Sequence, residues 1–187
     1  MSDSTPAGES PVITATRIWL EKAVIGLNLC PFAKAVHVKD QIRYVVSRAQ
    51  TPPELVRDLV EALQHLAATD AEETDTTLLI HPHVLGDFLD YNDFLDTADE
   101  VIDELNLAGE IQVASFHPQY QFAGTDANDI SNYSNRSPYP TLHLLREASI
   151  DKAVAAFPEA EDIFETNIAT LEKLGHDGWA KLGLEQP

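Results

Sequence analysis

Residues 76–116, TTLLIHPHVLGDFLDYNDFLDTADEVIDELNLAGEIQVASF, decide the fold. Thr76–His81 is a short apolar run closed by Pro82, and Ile111–Phe116 is a second apolar run, so both read as strands. Between them Phe94, Ala98, Val101 and Leu105 recur at helical spacing, and Gly109 stands just past the stripe, where helices stop. A strand, one amphipathic helix and a second strand form a β-α-β unit, and such a crossover joins parallel strands.

Upstream the same alternation continues. Thr51, Pro52, Pro53 and Glu54 spell a helix start, with Thr51 as N-cap and Glu54 completing a capping box. Leu55, Leu59, Val60, Leu63 and Leu66 form the buried stripe of that helix, and the β-branched and aromatic run Ile42–Ser47 before it reads as a strand. Ile18, Trp19, Ala23, Val24 and Leu27 predict a first helix over Thr14–Leu29, stopped by Pro31. Residues 1–12 are acidic, rich in Ser, Pro and Gly, and expected to be a disordered tail. Downstream, residues 118–140 show no period and form a long loop whose Tyr120, Phe122, Tyr133 and Tyr139 argue against disorder. Thr141–Leu145 reads equally as a fourth strand or a helix start. Ser149 is placed to cap a short helix from Ile150, and Pro158 opens a last helix carrying Ile163, Phe164, Ile168 and Leu171 and ended by Gly175. The expectation is a single α/β domain over 13–184. Its β-α-β-α-β core holds a mainly parallel sheet of three to four strands, with the N-terminal helix and the C-terminal helices packed on it.

The chain has 187 residues, 44% of them hydrophobic, enough for one substantial core. Its net charge of −19 opposes nucleic acid and anionic membranes as partners, and leaves an acidic patch for a basic protein as one use of the surface. No run approaches the length of a membrane span, and the first residues lack the basic and apolar regions of a signal peptide. With Cys30 as its one cysteine the chain makes no internal disulfide, in keeping with a reducing, cytoplasmic setting. No Lys or Arg occurs between Arg57 and Arg136, which makes Arg136 and Arg146 conspicuous.

Candidate chemistry gathers in a few places. Cys30 lies in GLNLCPFA at a helix end, where carbonyl dipoles disfavour a thiolate, so a nucleophilic role needs a nearby cation. His81 and His83 flank Pro82 at the C-terminal end of a strand, and His117 ends the next strand; the three form a candidate set for a divalent transition metal. If the chain stays extended through Pro82, His81 and His83 point to one side. NRSPYPTLHLLRE, residues 135–147, sets an amide, guanidiniums, a phenol and an imidazole around two prolines that restrain them. Asn135, Arg136, Tyr139 and Arg146 are its candidate substrate-binding residues, with Arg136 holding an anion and His117 and His143 transferring protons.

The stretches GLNLCPFA (26–33), ASFHPQYQF (114–122) and NRSPYPTLHLLRE (135–147) make the chain resemble a bacterial family of proteins known as domain of unknown function 1415, over roughly residues 14–174. The resemblance implies no activity; it implies that Cys30, His117, Asn135, Arg136 and His143 stand in the family's signature segments. Three readings of function follow. The first is an enzyme acting on a small anionic molecule by His-based acid–base or metal-assisted chemistry. The second is a non-catalytic metal or small-ligand carrier, and the third is an acidic protein-interaction module.

Overall fold

A computed structural model describes residues 9–184. The expected tail divides: residues 1–8 lie outside the described residues, whereas Pro11 and Val12 already belong to the first helix. Helix α1 (Pro11–Trp19) starts there because the Ser10 hydroxyl accepts the Val12 N–H at 3.3 Å and Pro11 occupies the first turn, where no N–H is needed. The helix then widens into a π-helical turn, Leu20–Ile25, marked by Gly26 N–H to Glu21 O and Leu29 N–H to Val24 O, both 2.9 Å. A short helix α2 (Ala33–Val38) leads into strand β1 (Ile42–Val46).

Helix α3 (Pro52–Ala68) starts at the predicted capping box, with the Glu54 carboxylate accepting the N–H groups of Gln50 and Thr51. Strand β2 (Thr76–Ile80), helix α4 (Phe88–Glu104) and strand β3 (Ile111–Phe116) follow. The segment 118–140 contains a 3-10 turn at Ile130–Asn135 and returns as strand β4 (Thr141–Arg146). Ser149 is not a cap: β4 runs directly into helix α5 (Glu147–Ala156), and the Ser149 hydroxyl donates instead to Asp75 at 2.6 Å. The last helix, α6 (Ile163–Ala180), breaks at Gly175, whose φ of 68° is left-handed.

The sheet order is β1-β2-β4-β3. Strands β1 and β2 pair in parallel, but β4 lies antiparallel between β2 and β3. A mixed α/β sheet is therefore present, while the expected mainly parallel pairing is corrected. Strands β1, β2 and β3 do share one direction, as single-helix crossovers require. The undecided segment 141–145 completes the sheet by inserting between β2 and β3, so only one of the pairings is parallel. Leu142 and Leu144 are wholly buried in that central position.

Alternation along the strands sends Val45, Leu79, Leu142, Leu144, Ile111 and Val113 to one face, where they pack against α3 and α4. Ile42, Tyr44 and Phe116 face the other way, joining Trp19, Val24, Leu171 and Trp179 from α1, the π-helical turn and α6. The sheet thus lies between two helical layers. Among the described residues no helix is long and apolar enough to cross a membrane.

Candidate functional site

Strands β2 and β3 end on either side of the start of β4, since Ile80 and Phe116 both pair with Thr141. His81 and His117 therefore stand at one sheet edge. Tyr91, wholly buried on α4, ties this edge together: its hydroxyl donates to Thr141 O at 2.7 Å and accepts the Phe116 N–H at 3.0 Å. The rings of His81 and His117 pack on Tyr91 at centroid distances of 5.8 and 4.9 Å.

Both imidazoles are committed to the fold. His117 donates from Nε2 to Leu85 O and accepts the Gln119 N–H at Nδ1, each at 3.0 Å, which fixes one neutral tautomer. Burial lowers its pKa, as it does that of His81, which is drawn down to about 4. His81 donates from Nδ1 to Val84 O at 3.0 Å and leaves a buried Nε2 without a partner. His83 does not share this side, because the chain turns at Pro82 and leaves His83 exposed while His81 is wholly buried. Among the described residues no group of three His, Cys, Asp or Glu side chains is arranged to hold a metal, so His81, His83 and His117 do not form a ligand set.

His143 lies on the opposite face from His117. It sits on β4 beside Phe116, its Nε2 bonding the Thr76 hydroxyl at 2.5 Å, and that hydroxyl in turn donates to Leu144 O. The residue is half-buried, but its bonded nitrogen is enclosed, and burial pulls its pKa down to about 4. The sheet separates it from His117, so the two do not act on one reacting group.

The loop residues are spent in a similar way. Arg136 donates to Tyr120 O at 3.1 Å and to Ala127 O at 2.6 Å, with its guanidinium 4.4 Å from the Tyr133 ring centre. Asn135 donates to Ser115 O, and Arg146 closes the C-terminal end of α3 by donating to Leu66 O, Thr69 O and Thr74 O. Tyr139 is half-buried and its carbonyl accepts from Ser137 and Thr141. Cys30 is half-buried, and desolvation raises its pKa despite the N–H groups of Phe32 and Ala33 on the sulfur. A thiol so placed stays protonated. Asn132, which the sequence reading passed over, organises the loop from a wholly buried position. It accepts from Phe122 N–H and Thr125 Oγ1 and donates to Asp126 O.

Uncommitted charge gathers elsewhere. Between the edge strand β1 and α3 lies a cleft of about 450 Å³ lined by Arg43, Arg48 and Arg57 together with Ser47 and the carboxylates of Glu54, Asp58 and Glu61. Of the ion pairs among the described residues, Arg17–Glu9 at 2.7 Å and His37–Glu21 at 3.2 Å, neither uses these arginines. Arg43 has a buried Nη1 without a hydrogen-bond partner. The neighbouring carboxylates are partly occupied: Glu54 takes the capping N–H groups, and Asp58 accepts the Ser47 hydroxyl at 2.5 Å. Ser47 N–H bonds Ile80 O at 2.7 Å, which sets the upper end of the cleft at the C-terminal ends of the parallel pair, where open α/β sheets bind ligands. The signal in the sequence was Arg43 itself. It shares the inward face of IRYVV with Val45, where an apolar residue is the norm.

No curated protein and no solved structure matches the chain. A family model described as protein of unknown function, DUF1415, matches residues 11–181, which take in α1 through α6 and every signature segment quoted above. By that match, over nearly its whole length, the chain belongs to the DUF1415 family.

Proposed function

We propose that this chain binds a small molecule bearing a carboxylate or phosphate in the cleft between β1 and α3. The observation that carries the reading is the meeting of Arg43, Arg48 and Arg57 in one cleft without an ion-pair partner, on a chain of net charge −19. A guanidinium presents a planar fork to such an anion. The long-range field of an acidic protein opposes anions, so a local cluster of cations is what binding requires. His117 and His143 are bonded to the fold and lie on opposite faces of the sheet, so the supported reading is capture of a small anion rather than its turnover.

Calorimetry in low-salt buffer with orthophosphate and short carboxylates tests this, because screening weakens exposed arginines first. Saturable binding is expected, with Arg43→Ala weakening the preferred anion by roughly 10- to 100-fold, the equivalent of a charge-assisted hydrogen bond. Anions that fail to bind, or that bind Arg43→Ala equally well, would remove the basis for the proposal.

A further inference from the structure

We infer that the ligand of the β1–α3 cleft is an elongated dianion, held at one end by Arg43 and at the other by Arg48 and Arg57, with a hydroxyl or amino group beside the upper acidic group, facing Asp58. This rests on the anion-binding reading above and goes on to name the class of molecule.

Helix α3 runs back along β1: its second turn is pinned to the strand's end by the Ser47–Asp58 hydrogen bond. Its far end reaches the strand's beginning, where Asp75 N–H bonds Gln41 O at 2.9 Å and Arg146 gathers the carbonyls of Leu66, Thr69 and Thr74. Arg43 and Glu61 therefore stand towards the lower end of the cleft, and Ser47, Asp58, Arg57 and Arg48 towards the upper. Four residue steps lead from Arg43 to Ser47, just past the end of β1, roughly 13 Å at about 3.3 Å per step. One carboxylate is saturated by one or two guanidinium forks, so cations spread along a strand are better used by two acidic groups than by one.

The two ends also differ in character. Arg43 is half-buried with an enclosed nitrogen, while Arg48 and Arg57 are exposed on opposite walls of the rim. At the upper end, Asp58 commits one oxygen to Ser47 and keeps acceptor capacity for a donor on the ligand. Dicarboxylates and phosphorylated carboxylates with a hydroxyl or amine on the connecting chain meet all three requirements.

The test is calorimetry with acetate, with straight-chain dicarboxylates of increasing length, and with hydroxy- and amino-substituted forms of the best length. An optimum in length is expected, at which the dicarboxylate binds about tenfold or more tighter than acetate. Arg43→Ala should weaken that dicarboxylate by at least about tenfold more than it weakens acetate, and Asp58→Asn should erase the gain from the hydroxyl or amine. Arg43→Gln keeps most of the volume and replaces Arg43→Ala if the latter fails to fold. Acetate binding as tightly as every dicarboxylate, or Arg43→Ala weakening all probes by one factor, overturns the dianion while sparing the anion site. If no probe binds, both fall together.

Discussion

Arg136 shows how a residue chosen for chemistry serves the fold instead. In a domain of such negative charge an arginine after a long cation-free stretch invites the reading of an anion anchor. Its guanidinium, however, bonds the carbonyls of Tyr120 and Ala127 and rests on Tyr133, closing the loop on itself. Removing a charged donor from two carbonyls costs more than a neutral bond does, so Arg136→Ala is expected to lower stability by about 2–4 kcal/mol. Arg136→Lys should recover little of this, because an ammonium cannot reproduce the fork. Urea unfolding measures both variants; an Arg136→Ala protein as stable as the parent would show that the loop does not depend on these bonds. Residue identity here was legible and role was not, because the Tyr120 and Ala127 carbonyls are presented only when residues 118–135 are folded.

Among the elements, the π-helical turn after α1 gives the sharpest test. In a regular exposed helix, Gly→Ala stabilises by about 1 kcal/mol. At Gly26 a Cβ would stand 2.3 Å from Lys22 O, a backbone atom that cannot move aside on its own. Gly26→Ala is therefore expected to destabilise by roughly 1–3 kcal/mol, the cost of overpacking. The sign is the readout: a melting temperature that rises in Gly26→Ala would mean an ordinary α-helical turn at this point. Hydrophobic spacing predicted a helix through this region but not its widening, since one extra residue in a turn changes a hydrogen-bond partner and not the composition. Strand β4 was undecided for a related reason. TLHLLR has the apolar content of a strand or a helix start, and its central place between β2 and β3 is what settles it.

For the whole molecule, the buried histidines predict how stability follows pH. Burial holds His81 and His143 at about 4 and lowers His117, whereas an unfolded histidine titrates near 6.5. The unfolded chain then binds more protons between these values, so the stability involved is fully present above about pH 6.5 and is lost as pH falls towards 4. Wholly buried His81 alone accounts for about 3 kcal/mol of this loss. Urea midpoints should be level from about pH 7 to 8 and fall steadily below 6.5; a midpoint constant down to about pH 5 would contradict the assignment. What the sequence by itself determined is local: the strands near 42–46, 76–80 and 111–116, the capping box of α3, the break at Gly175 and the family signatures are set by residue type and spacing within a few turns of chain. Tertiary structure alone decided the rest. It inserted β4 into the sheet, put His117 and His143 on opposite faces, and drew Arg43, Arg48 and Arg57 into one cleft. Each of these depends on which distant backbone carbonyls and faces a side chain meets, and that is fixed by pairing between segments far apart in the chain.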